Sequence, residues 1–278
     1  PQKGFIQFAL NKALFRFLQH NKLFKFSLNM KKAVWILLTF ISIQIQLYGQ
    51  KPVLKTSQNT AQLQKPKLVV GIVVDQMRWD FLYRYYSRYS NNGFKRLLNE
   101  GFSCENTMIP YMPTVTAAGH SSIYTGSVPA INGITGNEWW DKTKNRQVYC
   151  CEDPDAKTVG AANASGMMSP RNLLVTTVGD ELRLSANFRS KVIGIAIKDR
   201  GAILPAGHSA NAAYWFDTKT GNWISSTYYM QDLPQWTKDF NANKPIDSYY
   251  ENNWNTLYPI ETYNQSTTDE KIYEFKTF

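Results

Sequence analysis

The chain is 278 residues long, 43% hydrophobic and 14% aromatic, with 31 Lys/Arg against 21 Asp/Glu and a formal charge of +10. The charge is uneven: residues 1–49 hold seven Lys/Arg and no Asp or Glu, which leaves 24 against 21, or +3, for residues 50–278. So even a balance gives no basis for nucleic acid or an anionic membrane as a partner, and the basic excess belongs to a leader.

Phe5, Phe8, Phe15, Phe17, Phe24 and Phe26 interleave with Lys and Arg, but no methionine occurs before Met30. Residues 1–29 are therefore expected to be upstream read-through, with translation starting at Met30. Met30-Lys31-Lys32 and the apolar run Ala33 to Ile43 have the charged start and short apolar core of a secretory signal, assigned to residues 30–49 with cleavage after Tyr48-Gly49. The run falls short of the about 20 residues of a comfortable bilayer span. No later segment is apolar enough to span, so the mature protein is expected to be periplasmic or secreted and free of the membrane. Residues 50–64 are polar and aperiodic and read as a linker.

Lys67-Leu68-Val69-Val70-Gly71-Ile72-Val73-Val74-Asp75 is a continuous β-branched run, the pattern of a strand buried on both faces of a parallel sheet. Ligands of open α/β sheets collect beyond the carboxyl ends of strands, which makes Asp75 a candidate metal ligand. A strand-end aspartate equally often caps the next helix. Short helices with aromatic inner faces are expected over Asp80–Tyr89 and Gly93–Glu100.

Pro113-Thr114-Val115-Thr116 then leads into the small-residue stretch Ala117-Ala118-Gly119-His120-Ser121-Ser122 and stops at Gly126. Proline and threonine before such a stretch and glycine after it predict a loop running into a helix. A hydroxyl at that start faces unpaired N–H groups and the positive end of the helix dipole, where a phosphate is welcome, so Thr116 is the candidate nucleophile. His120, one turn later, either braces the nucleophile loop or is a satisfied buried histidine. Asn137, after Gly136 in a glycine-punctuated loop, is suited to present an amide donor, or serves as a turn asparagine.

Ser169-Pro170 is expected to open a helix running to Leu182, with Ser169 as N-cap. Lys191–Ile197 reads as a second buried strand. Lys198 and Arg200 follow it and point the same way if the chain stays extended; the alternative is a solvated basic turn. Tyr214–Asp217 and Thr220–Ile224 carry a β-hairpin signal. A helix is expected near Pro234–Asn241, and residues 205–278 are expected to form a peripheral aromatic-rich lobe.

Cys104, Cys150 and Cys151 have no metal-binding spacing, and the adjacent pair cannot bond without strain. Gly119-His120-Ser121-Ser122-Ile123 lacks the closing glycine of a serine-hydrolase elbow, and there is no P-loop or dinucleotide fingerprint. With His20, His120 and His208 the only histidines, an imidazole-rich zinc site cannot be assembled.

Taken together, Val73-Val74-Asp75-Gln76-Met77-Arg78-Trp79-Asp80, Pro113-Thr114-Val115-Thr116, Gly119-His120, Thr125-Gly126, Gly136-Asn137 and Lys198-Asp199-Arg200 resemble the phosphate-irrepressible alkaline phosphatases. These are threonine-nucleophile monoesterases related to the nucleotide pyrophosphatase/phosphodiesterase branch of the alkaline phosphatase superfamily. The likeness runs from about Lys65 to about Tyr263. It implies an α/β fold, with an alkaline-phosphatase-like, mostly parallel sheet, helices on both faces, and a C-terminal side that is incomplete over residues 65–278.

The resemblance also implies two zinc ions, with Asp75 a zinc ligand and Thr116 the zinc-held nucleophile. Asn137 would donate to a phosphoryl oxygen, and Lys198 and Arg200 would contact phosphate oxygens of a monoester substrate. The family's remaining ligands are aspartates and histidines in a C-terminal half that this sequence does not contain; Gly207-His208-Ser209 is not a substitute. The chain is therefore expected to be an N-terminal fragment, inactive or nearly so alone. The alternatives are a phosphodiesterase or nucleotide pyrophosphatase, and a secreted non-catalytic module binding phosphate or glycan.

Overall fold

The computed structural model describes residues 66–267. The expectations for residues 1–29, 30–49 and 50–64 lie outside the described residues. The compact unit beginning at Gly71 contains all of the helices and strands among the described residues.

Two short helices come first, α1 (Phe81–Arg84) and α2 (Phe94–Glu100), separated by a 3-10 turn at Tyr86–Arg88. Helices α3 (Thr116–Thr125) and α4 (Pro129–Asn132) lead to an antiparallel ribbon of β1 (Glu138–Asp141) and β2 (Arg146–Tyr149). A short β3 (Thr158–Val159) and α5 (Val178–Ser185) precede the central run β4 (Ile193–Ala196), α6 (Asp199–Ala206), β5 (Ala212–Asp217) and β6 (Asn222–Ser226). Helices α7 (Gln235–Ala242) and α8 (Pro245–Tyr250) follow.

The main sheet has the order β3-β6-β5-β4. β4 and β5 are parallel, with Ile193 opposite Ala212, and α6 is the crossover between them. β5 returns antiparallel into β6, with Trp215 opposite Ile224, and β6 pairs antiparallel with β3. The α/β framework is the expected one. Its described sheet is mixed, because the hairpin turn at Gly221 (φ +71°) brings the chain straight back where a helix would have kept it parallel.

The alternation along β5 distributes the core. Ala213 and Trp215, with Ile224 of β6, pack against Ala117 of α3 and Ala202, Ile203, Leu204 and Ala206 of α6. Ala212 and Tyr214 face the other way, onto Val159 and Leu233, and the Tyr214 ring meets Trp236 of α7 edge-on at 5.3 Å. Helices thus cover both faces of β5, and each large side chain sealed there contributes about 1.5–3 kcal/mol. Gly194 lets α6 approach β4: a Cβ at this position would sit 2.2 Å from the Ala202 carbonyl oxygen and 2.9 Å from Ala206 Cβ.

Helix α5 is tied to the chain after α6 by one carboxylate. Asp180, 2% exposed, accepts Thr177 N–H at 2.9 Å, Ser209 N–H at 2.6 Å and the Ser209 hydroxyl at 2.7 Å. Burial opposes its ionisation, but the facing His208 and these N–H and O–H donors together hold its pKa well below the carboxylate range. His208 is occupied structurally: Nε2 donates to the Leu173 carbonyl at 2.9 Å, and Nδ1 lies 3.6 Å from Asp180 Oδ2.

Four expectations are corrected. Lys67–Asp75 forms no strand: it is extended, but Leu68, Val69, Val70, Ile72 and Val74 are exposed and no described strand pairs with it. β-branched residues favour extended backbone, whereas a ladder also needs a neighbour for its N–H and C=O groups. β4 exists but is buried on one face only, with Ile193 54%, Ile195 61% and Ile197 69% exposed. The helix expected from Ser169 starts at Thr177, where Thr177 and Asp180 form a reciprocal capping box that outcompetes Ser169-Pro170. Residues 205–226 are not peripheral, since β5 and β6 supply Trp215 and Ile224 to the main core.

The expected helices at 81–88, 94–100, 116–125 and 235–242 and the hairpin at 212–226 are present. All three cysteines are free, Cys150 and Cys151 buried with their sulfurs 3.9 Å apart and Cys104 exposed.

Candidate active site

Thr116 is the first residue of the ten-residue α3, and its cap residue Val115 offers no side-chain acceptor to the first-turn amides. The positive end of the helix dipole is thereby open to an anion. At the other end Gly126 takes the left-handed conformation (φ +65°) and closes the helix where its sequence signal stops.

The Thr116 hydroxyl donates to Asp75 Oδ2 at 2.8 Å, joining residues 41 positions apart. Asp75 reaches it from the end of the extended run, next to Gln76 in a left-handed turn (φ +61°). The two candidate metal-site residues are thus in direct contact, although the strand expected to deliver Asp75 is unpaired. Behind them His120 is buried and its Nδ1–H donates to the Thr116 carbonyl at 2.8 Å. His120 is thus a buried histidine satisfied within its own helix, and the carbonyl that satisfies it is that of Thr116.

Asn137 stands beside the same first turn. Its Oδ1 accepts Ala117 N–H at 3.0 Å, which leaves the amide NH2 as the end of the side chain with no hydrogen bond among the described residues. The Asn137 carbonyl in turn accepts Cys150 N–H at 2.9 Å, so Asn137 is bound to the chain next to Tyr149.

Tyr149 carries the connection on to α6. Its hydroxyl donates to Asp199 Oδ1 at 2.6 Å and accepts from Arg200 Nη1 at 2.8 Å. Arg200 is about four-fifths buried, and the same Asp199 oxygen accepts its backbone N–H at 2.7 Å. Burial, then the Asp199 charge, push the Tyr149 hydroxyl far above its ordinary pKa, so it stays a protonated donor.

Lys198 and Arg200 do not extend side by side. Lys198 is the N-cap of α6 and exposed, whereas Arg200 is already helical. The pair frames the start of α6, where Lys198 has no ion pair among the described residues. α6 packs on α3, and a Cβ on Gly201 would come within 3.9 Å of His120 Nε2. Hydrogen bonds and helix packing therefore connect Asp75, Thr116, Asn137 and Arg200 within one region, with Lys198 at its solvent edge.

Sequence reasoning gave no role to Tyr149 or Asp199. Asp199 lies between the two cations and was visible as part of their motif; nothing local marks Tyr149, which acts across 50 and 51 residues. Among the described residues no group of three or more His, Cys, Asp or Glu is arranged to hold a metal ion. Asp75 and Thr116 offer two converging oxygen donors, one corner of such a site.

Comparison with known proteins places the chain in a family. Residues 69–274 match the family model described as type I phosphodiesterase / nucleotide pyrophosphatase. The chain is 68% identical over 214 residues to alkaline phosphatase PhoV of Synechococcus elongatus, covering 77% of this chain and 39% of that protein. It is 66% identical over 212 residues to a Myroides odoratus protein named calcium-transporting ATPase, covering 76% and 39%. The crystal structure of wild-type alkaline phosphatase PafA superposes with a TM-score of 0.74 at 55% identity, over 76% of this chain and 41% of that one. The chain thus spans about two fifths of the length of these relatives. With the match extending over most of its residues, the chain belongs to the type I phosphodiesterase / nucleotide pyrophosphatase family.

Proposed function

We propose that this chain carries the nucleophile and phosphate-binding side of a zinc-dependent phosphomonoesterase. The observation that supports the reading most directly is the 2.8 Å contact of Thr116 Oγ1 with Asp75 Oδ2 at the open N-terminus of α3. A carboxylate oxygen is a zinc donor, so Asp75 would hold the ion and the adjoining Thr116 oxygen would complete its contact there. The other ligands of a two-zinc site have no counterpart among the described residues. Bound there, zinc would lower the pKa of the threonine hydroxyl and offset negative charge during attack.

The rest is carried by the protein. Thr116 Oγ attacks phosphorus, the ester P–O bond breaks, and the alcohol leaves with a proton. Water then cleaves the phosphothreonine and releases inorganic phosphate. The His120 hydrogen bond fixes the backbone of Thr116, so little reorganisation is needed to aim the oxygen. The free amide of Asn137 would donate to a non-bridging oxygen. Arg200 and Lys198 would meet the additional negative charge that a monoester carries over a diester.

The family description favours a second reading, hydrolysis of phosphodiesters or nucleotide pyrophosphates by the same threonine. Assays of full-length protein with p-nitrophenyl phosphate and bis-p-nitrophenyl phosphate, each with and without chelator, separate the two. Higher kcat/KM on the monoester, abolished by chelation and restored by zinc, is expected. Preference for the diester would select the second reading.

Export is part of the proposal, resting on the signal-like residues 30–49. Cell fractionation should recover the mature protein outside the cytoplasm, and retention in the cytoplasm would overturn export.

A further inference from the structure

The Tyr149–Asp199–Arg200 cluster has a geometry that simple packing does not require. Arg200 is fixed at one corner of its guanidinium, where Nη1 donates to the Tyr149 hydroxyl at 2.8 Å. The same Nη1 lies 3.8 Å from Asp199 Oδ1, Nε is buried with no partner, and Nη2, which is not buried, makes no hydrogen bond among the described residues. A buried N–H without an acceptor is costly, but Arg183 Nε shares that condition, so the informative atom is Nη2, which is neither buried nor hydrogen-bonded among the described residues and is therefore open to a ligand. The Tyr149 ring also lies against the cation, 5.9 Å from centroid to Cζ, which restricts the plane of the guanidinium. Asp199 completes the arrangement: one carboxylate oxygen takes both the Tyr149 hydroxyl and the Arg200 backbone N–H.

We infer that Tyr149, oriented by Asp199, is a positioning residue that holds Arg200 by Nη1 and leaves Nη2 to bind a phosphate oxygen, making Tyr149 a determinant of monoester over diester preference. The inference rests on the phosphoester-hydrolase reading of this site and adds to it the residue that sets substrate charge preference. Because the hydroxyl is buried against a carboxylate, it remains protonated into the alkaline range and keeps the arrangement intact there. An esterified oxygen in a diester removes the negative charge that a fixed Arg200 would reward, so loosening Arg200 should penalise the monoester selectively.

The test uses the full-length protein and Tyr149→Phe, which keeps the ring and deletes only the hydroxyl. The expected result is a loss of about 10-fold in kcat/KM for p-nitrophenyl phosphate, with bis-p-nitrophenyl phosphate changed by less than about 2-fold. In an Arg200→Ala background the same substitution should cost less than about 2-fold on either ester, because its effect passes through the arginine. A purely structural tyrosine would instead lower both esters equally and add its full effect to Arg200→Ala; either outcome overturns the inference. Should Tyr149→Phe fail to fold, Asp199→Asn is read in the same assays, with the same selective monoester loss expected. Thr116-dependent activity in which neither variant discriminates between the esters sinks the inference alone. A wild-type protein that hydrolyses neither ester sinks the functional reading with it.

Discussion

Asn137 and Ala117 are joined by a single hydrogen bond, Ala117 N–H to Asn137 Oδ1 at 3.0 Å, and that bond decides which end of the amide is available. With the oxygen committed to the helix, the NH2 group is the end left for substrate. Asn137→Ala should lower phosphomonoesterase kcat/KM by about 100-fold, the usual cost of one preorganised donor. Asn137→Asp keeps the acceptor for Ala117 but replaces the donor with a charge that repels phosphate, so it should fall below the alanine variant. Equal activity in wild type and Asn137→Asp would refute this orientation.

Thr116→Ala should abolish turnover, with a loss of about 1,000-fold or more, since no other hydroxyl among the described residues shares its contact with Asp75. Thr116→Ser should retain measurable activity. Asp75→Asn removes a charged oxygen donor and should lower bound zinc as measured by atomic absorption, independently of any rate. Unchanged zinc content in Asp75→Asn would exclude that residue as a ligand.

The Asp180–His208 contact predicts a pH-dependent stability. The Asp180 carboxylate holds the His208 pKa above its ordinary value, against the opposing effect of burial. Stability from a raised histidine is fully present below its unfolded pKa, about 6.5, and is lost as pH rises through the higher folded value. Asp180 is depressed instead, so it stays ionised throughout that window and loses its contribution only in strong acid. The difference in Tm between wild type and His208→Gln should therefore be widest near about pH 5–6 and shrink toward alkaline pH. A gap that widens with alkalinity would contradict the pairing.

Two glycine substitutions should move in opposite directions. Gly194→Ala drives a Cβ to 2.2 Å from the Ala202 carbonyl oxygen, and forcing α6 away from β4 should cost about 1–3 kcal/mol. At Gly119, within α3, a Cβ meets nothing within 4 Å, and Gly119→Ala should stabilise by up to about 1 kcal/mol through helix propensity. Urea titrations of the two variants check both signs.

The parts of this structure legible in the sequence are those specified by neighbours in the chain. The start of α3 at Thr116, its stop at Gly126 and the β5–β6 hairpin all follow from caps and turn residues within a few positions. The errors fall where specification comes from far away. Lys67–Asp75 has strand composition but no described partner, and 205–226 read as peripheral because Trp215 finds its core neighbours in α3 and α6. Asp75, Thr116 and Asn137 could be nominated because short motifs mark them. Tyr149 could not, because its role depends on a ribbon ending where α6 begins. The Thr177 start of α5 was visible as Thr177-Val178-Gly179-Asp180 and was obscured by the stronger-looking Ser169-Pro170.

The contrast between one solvent-facing thiol and two sealed ones has a practical use. In the folded chain a maleimide should react at Cys104 only, and complete unfolding should raise the count to three adducts per molecule. Mass spectrometry after a brief maleimide pulse would then report the folded fraction of each variant, in crude extracts and without an engineered label.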